Sequence, residues 1–306
     1  MYDVIVVGLG AMGSASLYQL AKRGAKVLGI DRYAPPHNLG STHGETRVTR
    51  LAVGEGAEYT AFVARTHDIW RDLEEKTGEG ILYESGVYVI CPKEADTSFN
   101  GVNDFVAATA DIAKQYDIPA KWQSADTART LYPQLLIPDQ FHTIHEPTGG
   151  VVVPETAVAV QLAEAARLGA KTRLNEVVLD VEQNGDGVIV TTNLGKYEAD
   201  KAVVSAGAWV SDFLPDSASK DIHITRQVMH WFEADDITQF NTDNLPVALW
   251  VGETMEDYFC IFPTPPNGET TVKVVTERYF HQTHPDDIDR VVHQDEIELI
   301  LSLIHI

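Results

Sequence analysis

The sequence predicts an α/β fold in two interleaved domains, one wound on a parallel sheet and a discontinuous second one built on a mainly antiparallel sheet. Three observations carry this. Within the first 31 residues a short apolar run, a glycine-rich turn, a helix-like stretch and a second apolar run follow one another, which is the order of a βαβ unit. From Leu82 to about Pro147 the pattern changes to strand-like alternation with scattered prolines. After residue 220 alternation returns in residues 230–233, 258–262 and 271–275, and α/β patterning occupies the interval between the two zones.

Each element has a local reason. Residues 4–7 are continuously apolar and end at Gly8; residues 11–23 follow with helix-forming composition and apolar positions Met12, Ala15, Leu17, Leu20 and Ala21. Residues 26–30 form the second strand, which ends in Asp31. The loop beyond it, with Pro35, Pro36, Gly40, Ser41 and Gly44, is long enough to reach a ligand. Ala61, Phe62, Ile69, Trp70 and Leu73 recur at three- and four-residue spacings and predict a helix over 58–77. Residues 83–90 read as a strand and 103–116 as a helix. Periodicity returns over 155–168 with Gly169 as a stop, and strands are expected at 177–182, 188–192 and 201–209. The implied division is 1–81 with 146–220 for the first domain and 82–145 with 221–300 for the second.

Composition narrows the function. The 306 residues carry 23 Lys and Arg against 45 Asp and Glu, a net charge of −22, which repels nucleic-acid phosphates and anionic lipid. No apolar run reaches the ~20 residues of a membrane span. Two cysteines, Cys91 and Cys260, make neither a disulfide framework nor a C-x-x-C metal spacing, and His281 with His284 cannot close a metal site, so no metal is expected. With no secretory signal visible before the first strand, the expected location is the cytoplasm. The last six residues, Leu301 to Ile306, match the translation of a common sequencing adaptor as well as they match a helix end, so 301–306 is treated as a non-native tail and the chain as an N-terminal fragment.

The chemistry is concentrated in two segments. Gly8-Leu-Gly-Ala-Met-Gly13 fits G-x-G-x-x-G, and Asp31 lies 18 residues past its last glycine. Gly8 permits the tight turn, Gly10 lets a pyrophosphate approach the backbone, and Gly13 lets helix pack on strand. Asp31 favours an unphosphorylated ribose, so the domain is Rossmann-like and the ligand FAD or NAD. The second segment, Gly40-Ser-Thr-His-Gly-Glu-Thr-Arg-Val-Thr-Arg50, sets His43, Arg47 and Arg50 into an acidic chain.

Together with Asp31 to His37, that second segment resembles the monomeric sarcosine oxidase and N-methyltryptophan oxidase family of D-amino-acid-oxidase-like flavoproteins. The resemblance continues through Gly54-Glu-Gly56, Tyr59, Glu146 to Gly150, Ala199-Asp-Lys201, Ser205 to Trp209 and Arg226-Gln-Val228. It implies FAD, a secondary amino acid with an N-methyl or ring C–N bond as substrate, O₂ as acceptor, hydrogen peroxide as product, and a monomer. It further implies that Gly8, Gly10, Gly13 and Asp31 hold the ADP half of FAD, that Val178 meets the adenine through its backbone, and that Gly207 and Trp209 lie at a second flavin-binding strand end. His43, Thr46 and Arg47 would lie by the flavin, Arg50 would pair with the substrate carboxylate, and Lys273 would stand over the flavin for oxygen activation. By themselves, Arg50 reads as a salt-bridge partner and Lys273, between valines, as the solvent face of a strand.

The chain departs from that family's pattern in three places. Cys260 stands near the family's active-site tyrosine, and Glu277 near a histidine. The cysteine that tethers flavin covalently, with a second carboxylate-binding lysine, would lie beyond residue 306, so the covalent attachment site is not expected in this chain. An NAD-dependent dehydrogenase shares the opening motif but gives no reason for residues 40–50, and an inactive fragment of the oxidase is the other alternative.

Overall fold

The computed structural model describes residues 1–94, 102, 104–252, 254 and 257–304. Asn103, at the start of the expected 103–116 helix, and His305 and Ile306 of the tail lie outside them.

The valine-rich strand β1 (Tyr2–Val7) turns at Gly8 into α1 (Ala11–Lys22), which stops before Gly24 at φ +82° and returns through β2 (Val27–Asp31). After the long loop come β3 (Arg47–Thr49) and α2 (Glu58–Thr77), the latter closed by Gly78 in the left-handed region, a common helix stop. The expected strand over 83–90 is split into β4 (Leu82–Tyr83) and β5 (Val87–Pro92), because Gly86 at φ +84° breaks the extended run and the halves join different sheets.

Next are α3 (Phe105–Gln115), β6 (Lys121–Ser124), α4 (Ala125–Leu131), β7 (Phe141–Glu146) and β8 (Gly150–Val152). Helix α5 (Pro154–Arg167) starts on a proline, which needs no N–H there, and is followed by β9 (Lys171–Leu174), β10 (Val178–Asn184), β11 (Gly187–Thr192) and β12 (Lys196–Val204). The strand expected over 201–209 ends at Val204; a 3₁₀ turn over Gly207–Phe213 takes its place, entered through Gly207 at φ +56°. The short α6 (Asp216–Ser219) leads to β13 (Met229–Glu233), β14 (Val247–Trp250), β15 (Phe259–Phe262), β16 (Thr271–Thr276) and α7 (Gln294–Ile304), which runs through Leu301 to Ile304 and buries Leu303.

Three sheets result. The first has order β10-β11-β12-β1-β2-β9, in which β12, β1, β2 and β9 are parallel and β10-β11-β12 is an antiparallel meander. Its core packs Val6 and Val27 of the sheet against Leu17 and Tyr18 of α1, Leu73 of α2 and Val160 of α5. The second sheet, β13-β16-β15-β14-β5-β7-β6, is antiparallel except where β14 runs beside β5. One of its faces packs on α4 and α7 through Ala128, Ile300 and Leu303; the other carries Val89, Leu249, Tyr258, Cys260 and Phe262 with Phe105 of α3. The small sheet β3-β8-β4 lies in sequence between these two. This is a mixed α/β architecture with a parallel-sheet unit and a mainly antiparallel one.

Two helix faces differ from the pattern read in sequence. Met12 is 74% exposed and Phe62 71%, so neither belongs to the core. Met12 sits in the first turn of α1, at the rim of a cavity, and α2 buries only Thr60 and Leu73 because it packs along one stripe against α5 and β4.

Candidate active site

Where β1 and β2 end, the parallel sheet opens a cavity of about 570 Å³. Gly8, Gly10, Asp31, Val178, Gly207 and Trp209 line it, so six of the residues singled out in sequence converge there. Gly13 does not reach it: a Cβ on Gly13 would sit 1.7 Å from the Gly8 carbonyl oxygen, which makes it a packing glycine. At Gly10 a Cβ would meet only Thr42 Oγ1, at 3.3 Å, so the backbone there is bare towards the cavity. Gly10 also caps α1 without a side chain; Thr42 Oγ1 takes the Ala11 N–H at 3.3 Å, and the positive helix end faces the cavity, where it favours an anion. Asp31 is buried; its Oδ2 accepts the Leu9 N–H at 2.7 Å and its Oδ1 the Tyr33 N–H at 2.8 Å, which fixes the acid at the strand end. A bare glycine turn, a helix N-terminus and an acid at the second strand end fit the phosphates and ribose of a dinucleotide.

The wall of the cavity continues through Gly40, Ser41 and Thr42 into the cationic segment. Arg47 donates to the carbonyl oxygens of Thr46 and Ser41, both at 2.8 Å, and thereby folds the loop back on itself. Burial, and then the Arg47 charge, hold the His43 imidazole below its ordinary pKa, and burial likewise lowers that of Arg47. Thr46 is buried, and its hydroxyl has no partner among the described residues.

Lys273 completes this group. It lies opposite Phe262 in the β15–β16 ladder and opposite Trp231 in β13–β16, hence on the sheet face turned towards α3. It is only 3% exposed, which overturns the solvent-face reading. Its Nζ donates to the carbonyl oxygens of Gly44 at 2.8 Å and Thr46 at 2.5 Å and stands 4.2 Å from the centre of the Phe262 ring. Burial, reinforced by the Arg47 charge, brings its pKa down to about 7.

Arg50, just past β3, pairs with Glu55 at 2.5 Å over the face of Phe105, and its Nε has no partner among the described residues. Arg50 thus has an ion-pair partner, though the pair is neither at the surface nor between distant segments: its side chain is only 10% exposed and Glu55 is a near neighbour in sequence. Beside it, the Tyr258 hydroxyl lies 2.8 Å from Cys260 Sγ, so a phenol sits two residues before the position where the family resemblance implies one.

Sequence reasoning missed four contributors. Thr42 accepts the Ala11 N–H at 3.3 Å, Arg32 and Asp286 pair at 3.0 Å at the cavity, and Glu155 accepts backbone N–H groups of the cationic segment. Arg32, next to Asp31, had a positional signal; Asp286 and Glu155 had none beyond an acid in a loop and an acid in a first helical turn. Among the described residues no group of three or more His, Cys, Asp or Glu could hold a metal, and no helix is long and apolar enough to cross a membrane.

The family model for FAD dependent oxidoreductases, DAO, matches residues 3–305. The chain belongs to that family. It is 35% identical over 303 residues to the monomeric sarcosine oxidase of Bacillus sp. (strain B-0618), a match covering 97% of this chain and 75% of that one. It is also 35% identical over 234 residues to the N-methyl-L-tryptophan oxidase of Yersinia pestis (strain Pestoides F), covering 76% and 60%. Among solved structures, NikD, an unusual amino acid oxidase essential for nikkomycin biosynthesis, superposes with a TM-score of 0.79 at 23% identity over 99% of this chain and 77% of its own. Glycine oxidase from Geobacillus kaustophilus gives 0.73 at 19% over 98% and 76%. This DAO chain is an FAD-dependent oxidoreductase of the amino acid oxidase type.

Proposed function

We propose that this protein oxidises the C–N bond of an N-methylated or cyclic secondary amino acid, of the sarcosine or N-methyltryptophan type, with O₂ as acceptor and release of hydrogen peroxide. The observation that carries the reading is the continuity of the segment Gly40 to Arg50, which leaves the wall of the dinucleotide cavity at Gly40 to Thr42 and meets Lys273 on the opposing sheet through the Gly44 and Thr46 carbonyl oxygens, with the Arg47 charge close by. The chemistry supplied by bound FAD is acceptance of two electrons and a proton from the substrate and return of the electrons to O₂.

The chain's own residues bind, orient and stabilise charge. Gly8, Gly10 and Asp31 hold the ADP half, with Val178, Gly207 and Trp209 along the same cavity. Arg50 offers a planar fork to the substrate carboxylate, which suits two oxygens better than a lysine would. Water then hydrolyses the imine left on the substrate. Lys273, when protonated, provides a desolvated positive charge for the anion that forms as O₂ takes its first electron. Arg50, over the Phe105 ring, is where the substrate carboxylate would bind, and the two parts divide near residues 81, 146 and 220. Neither Cys91 nor Cys260 is offered as a covalent tether, since both are buried and their thiols are pushed up to about 12.

The test is anaerobic mixing of the FAD-loaded protein with sarcosine, N-methyltryptophan and proline, followed by admission of O₂ and a peroxide assay. Flavin bleaching by at least one of them with stoichiometric peroxide is expected; no bleaching by any secondary amino acid overturns the proposal.

A further inference from the structure

Glu155 is the second residue of α5, where Pro154 starts the helix and the positive helix end favours a carboxylate. Its Oε1 accepts two consecutive backbone N–H groups, Gly44 at 2.6 Å and Glu45 at 3.1 Å. Both residues have left-handed backbone, φ +98° and φ +66°, and for Glu45 that conformation carries a steric cost that the paired hydrogen bonds offset. One peptide group thus has both ends engaged: the Gly44–Glu45 unit gives its N–H to Glu155 and its carbonyl oxygen to Lys273 Nζ. Hydrogen bonds in such a chain polarise one another. The second Glu155 oxygen, Oε2, is buried without a hydrogen-bond partner among the described residues, and its compensation is the charge of the neighbouring cations.

We propose that Glu155 is a positioning residue for Lys273, fixing the Gly44–Thr46 turn whose carbonyls grip the ammonium and supplying an anion that lets Lys273, Arg47 and His43 share one buried site. The proposal rests on the reading of Lys273 given above. The other groups facing Lys273 are Arg47 on β3, Glu45 on the turn, and Cys260 and Phe262 on β15. The Glu45 carboxylate also favours the charged lysine, more strongly than Glu155 does, but its own hydrogen bonds go to Trp231 Nε1 at 2.9 Å and the Glu269 N–H at 3.1 Å and not to the turn that grips the ammonium. Glu155 is the acid linked to the ammonium through a single peptide group.

The test separates charge from position. Glu155→Gln keeps an oxygen for both N–H groups and removes the charge; Glu155→Asp keeps the charge. Heteronuclear NMR of protein carrying isotope-labelled lysine, with the Lys273 signal assigned by its absence from Lys273→Met and followed over a series of pH values, gives the titration midpoint of Lys273 without bound FAD. The midpoint in Glu155→Gln is expected about one pH unit below that of the parent chain, the loss of one nearby opposite charge, and Glu155→Asp is expected to return at least half of that shift. A Glu155→Gln midpoint unchanged within 0.2 units, roughly a tenth of the shift an adjacent charge can produce, overturns the proposal, as does a shift that Glu155→Asp does not reverse. Failure of the oxygen reading is distinguishable, because it shows in the reoxidation rate of Lys273→Met and leaves this titration untouched.

Discussion

Gly13 presses its backbone against the Gly8 carbonyl so closely that a Cβ would lie 1.7 Å from that oxygen, whereas Gly10, three residues earlier, meets nothing nearer than the Thr42 hydroxyl at 3.3 Å. One motif therefore contains a glycine held by packing and a glycine left bare towards the cavity. Gly13→Ala is expected to destabilise the protein by several kcal/mol, since backbone must move to admit the methyl. Gly10→Val is expected to keep the fold, with a melting temperature within a few degrees, while FAD content falls about tenfold or more, because its side chain fills the space of the pyrophosphate. Melting curves and flavin absorbance on the two variants check this; Gly10→Val with normal flavin removes the cavity assignment.

How much of this site could be read in sequence depended on how local its causes were. The helix over 58–77 was legible in the spacing of its apolar positions, although Ala61 and Phe62 among them are exposed, and the βαβ opening was legible because its glycines and Asp31 lie within one unit. Strand β14 was not foreseen: Val247–Trp250 is a four-residue run behind Pro246, buried on both faces beside a parallel neighbour, so it has no alternation to read. Strand β9, Lys171–Leu174, is a charged edge that looks like a loop. The burial of Lys273 depends on carbonyl groups 227 and 229 positions earlier, which no periodicity in its own strand encodes.

Arg50→Met is expected to raise the dissociation constant of a carboxylate inhibitor about 30-fold while flavin stays bound. A hydrogen-bonded charge is worth roughly 2 kcal/mol, and 1.4 kcal/mol is tenfold. Glu55, which loses its partner, is 29% exposed on its side chain and can be hydrated, so the fold should survive. Titration of flavin absorbance with a non-reacting carboxylate amine measures the constant; an unchanged value makes the Arg50–Glu55 pair purely structural.

Asp286 joins the cavity wall from the far end of the chain, accepting Trp209 Nε1 at 2.8 Å and pairing with Arg32, whose guanidinium lies 4.9 Å from the Trp209 ring. These groups are half-exposed, so the pair is worth about 1 kcal/mol or less. Asp286→Ala is accordingly expected to speed FAD release about two- to fivefold, with no change in substrate affinity at saturating FAD. Recovery of flavin fluorescence on dilution gives the rate, and a release rate equal to the parent's shows that the contact closes nothing.

Lys273 makes a thermodynamic signature as well as a kinetic one. Its folded pKa of about 7 lies below the 10.5 of an unperturbed lysine, so between these values the unfolded chain holds a proton that the folded chain lacks. Stability from this group therefore rises with pH across that window, by up to about 1.4 kcal/mol per unit, and is lowest below pH 7. Urea unfolding at about pH 7.0, 7.4 and 7.8, in the lower part of that window and below the pH near 9.0 where the two cysteine thiols ionise in the unfolded chain, should show this rise in the parent and a flatter one in Lys273→Met. The same titration sets the kinetics. On the proposed reading oxygen needs the charged form whereas amine oxidation needs no cation, so anaerobic flavin reduction by substrate should stay within about tenfold in Lys273→Met while reoxidation slows about 100- to 1000-fold. The deficit should be widest at pH 6 and narrow above pH 8, where the parent lysine is itself neutral. Stopped-flow measurement of each half-reaction decides among the outcomes: loss of reduction alone would move Lys273 to substrate binding, and a deficit independent of pH would mean that the side chain acts through packing rather than charge.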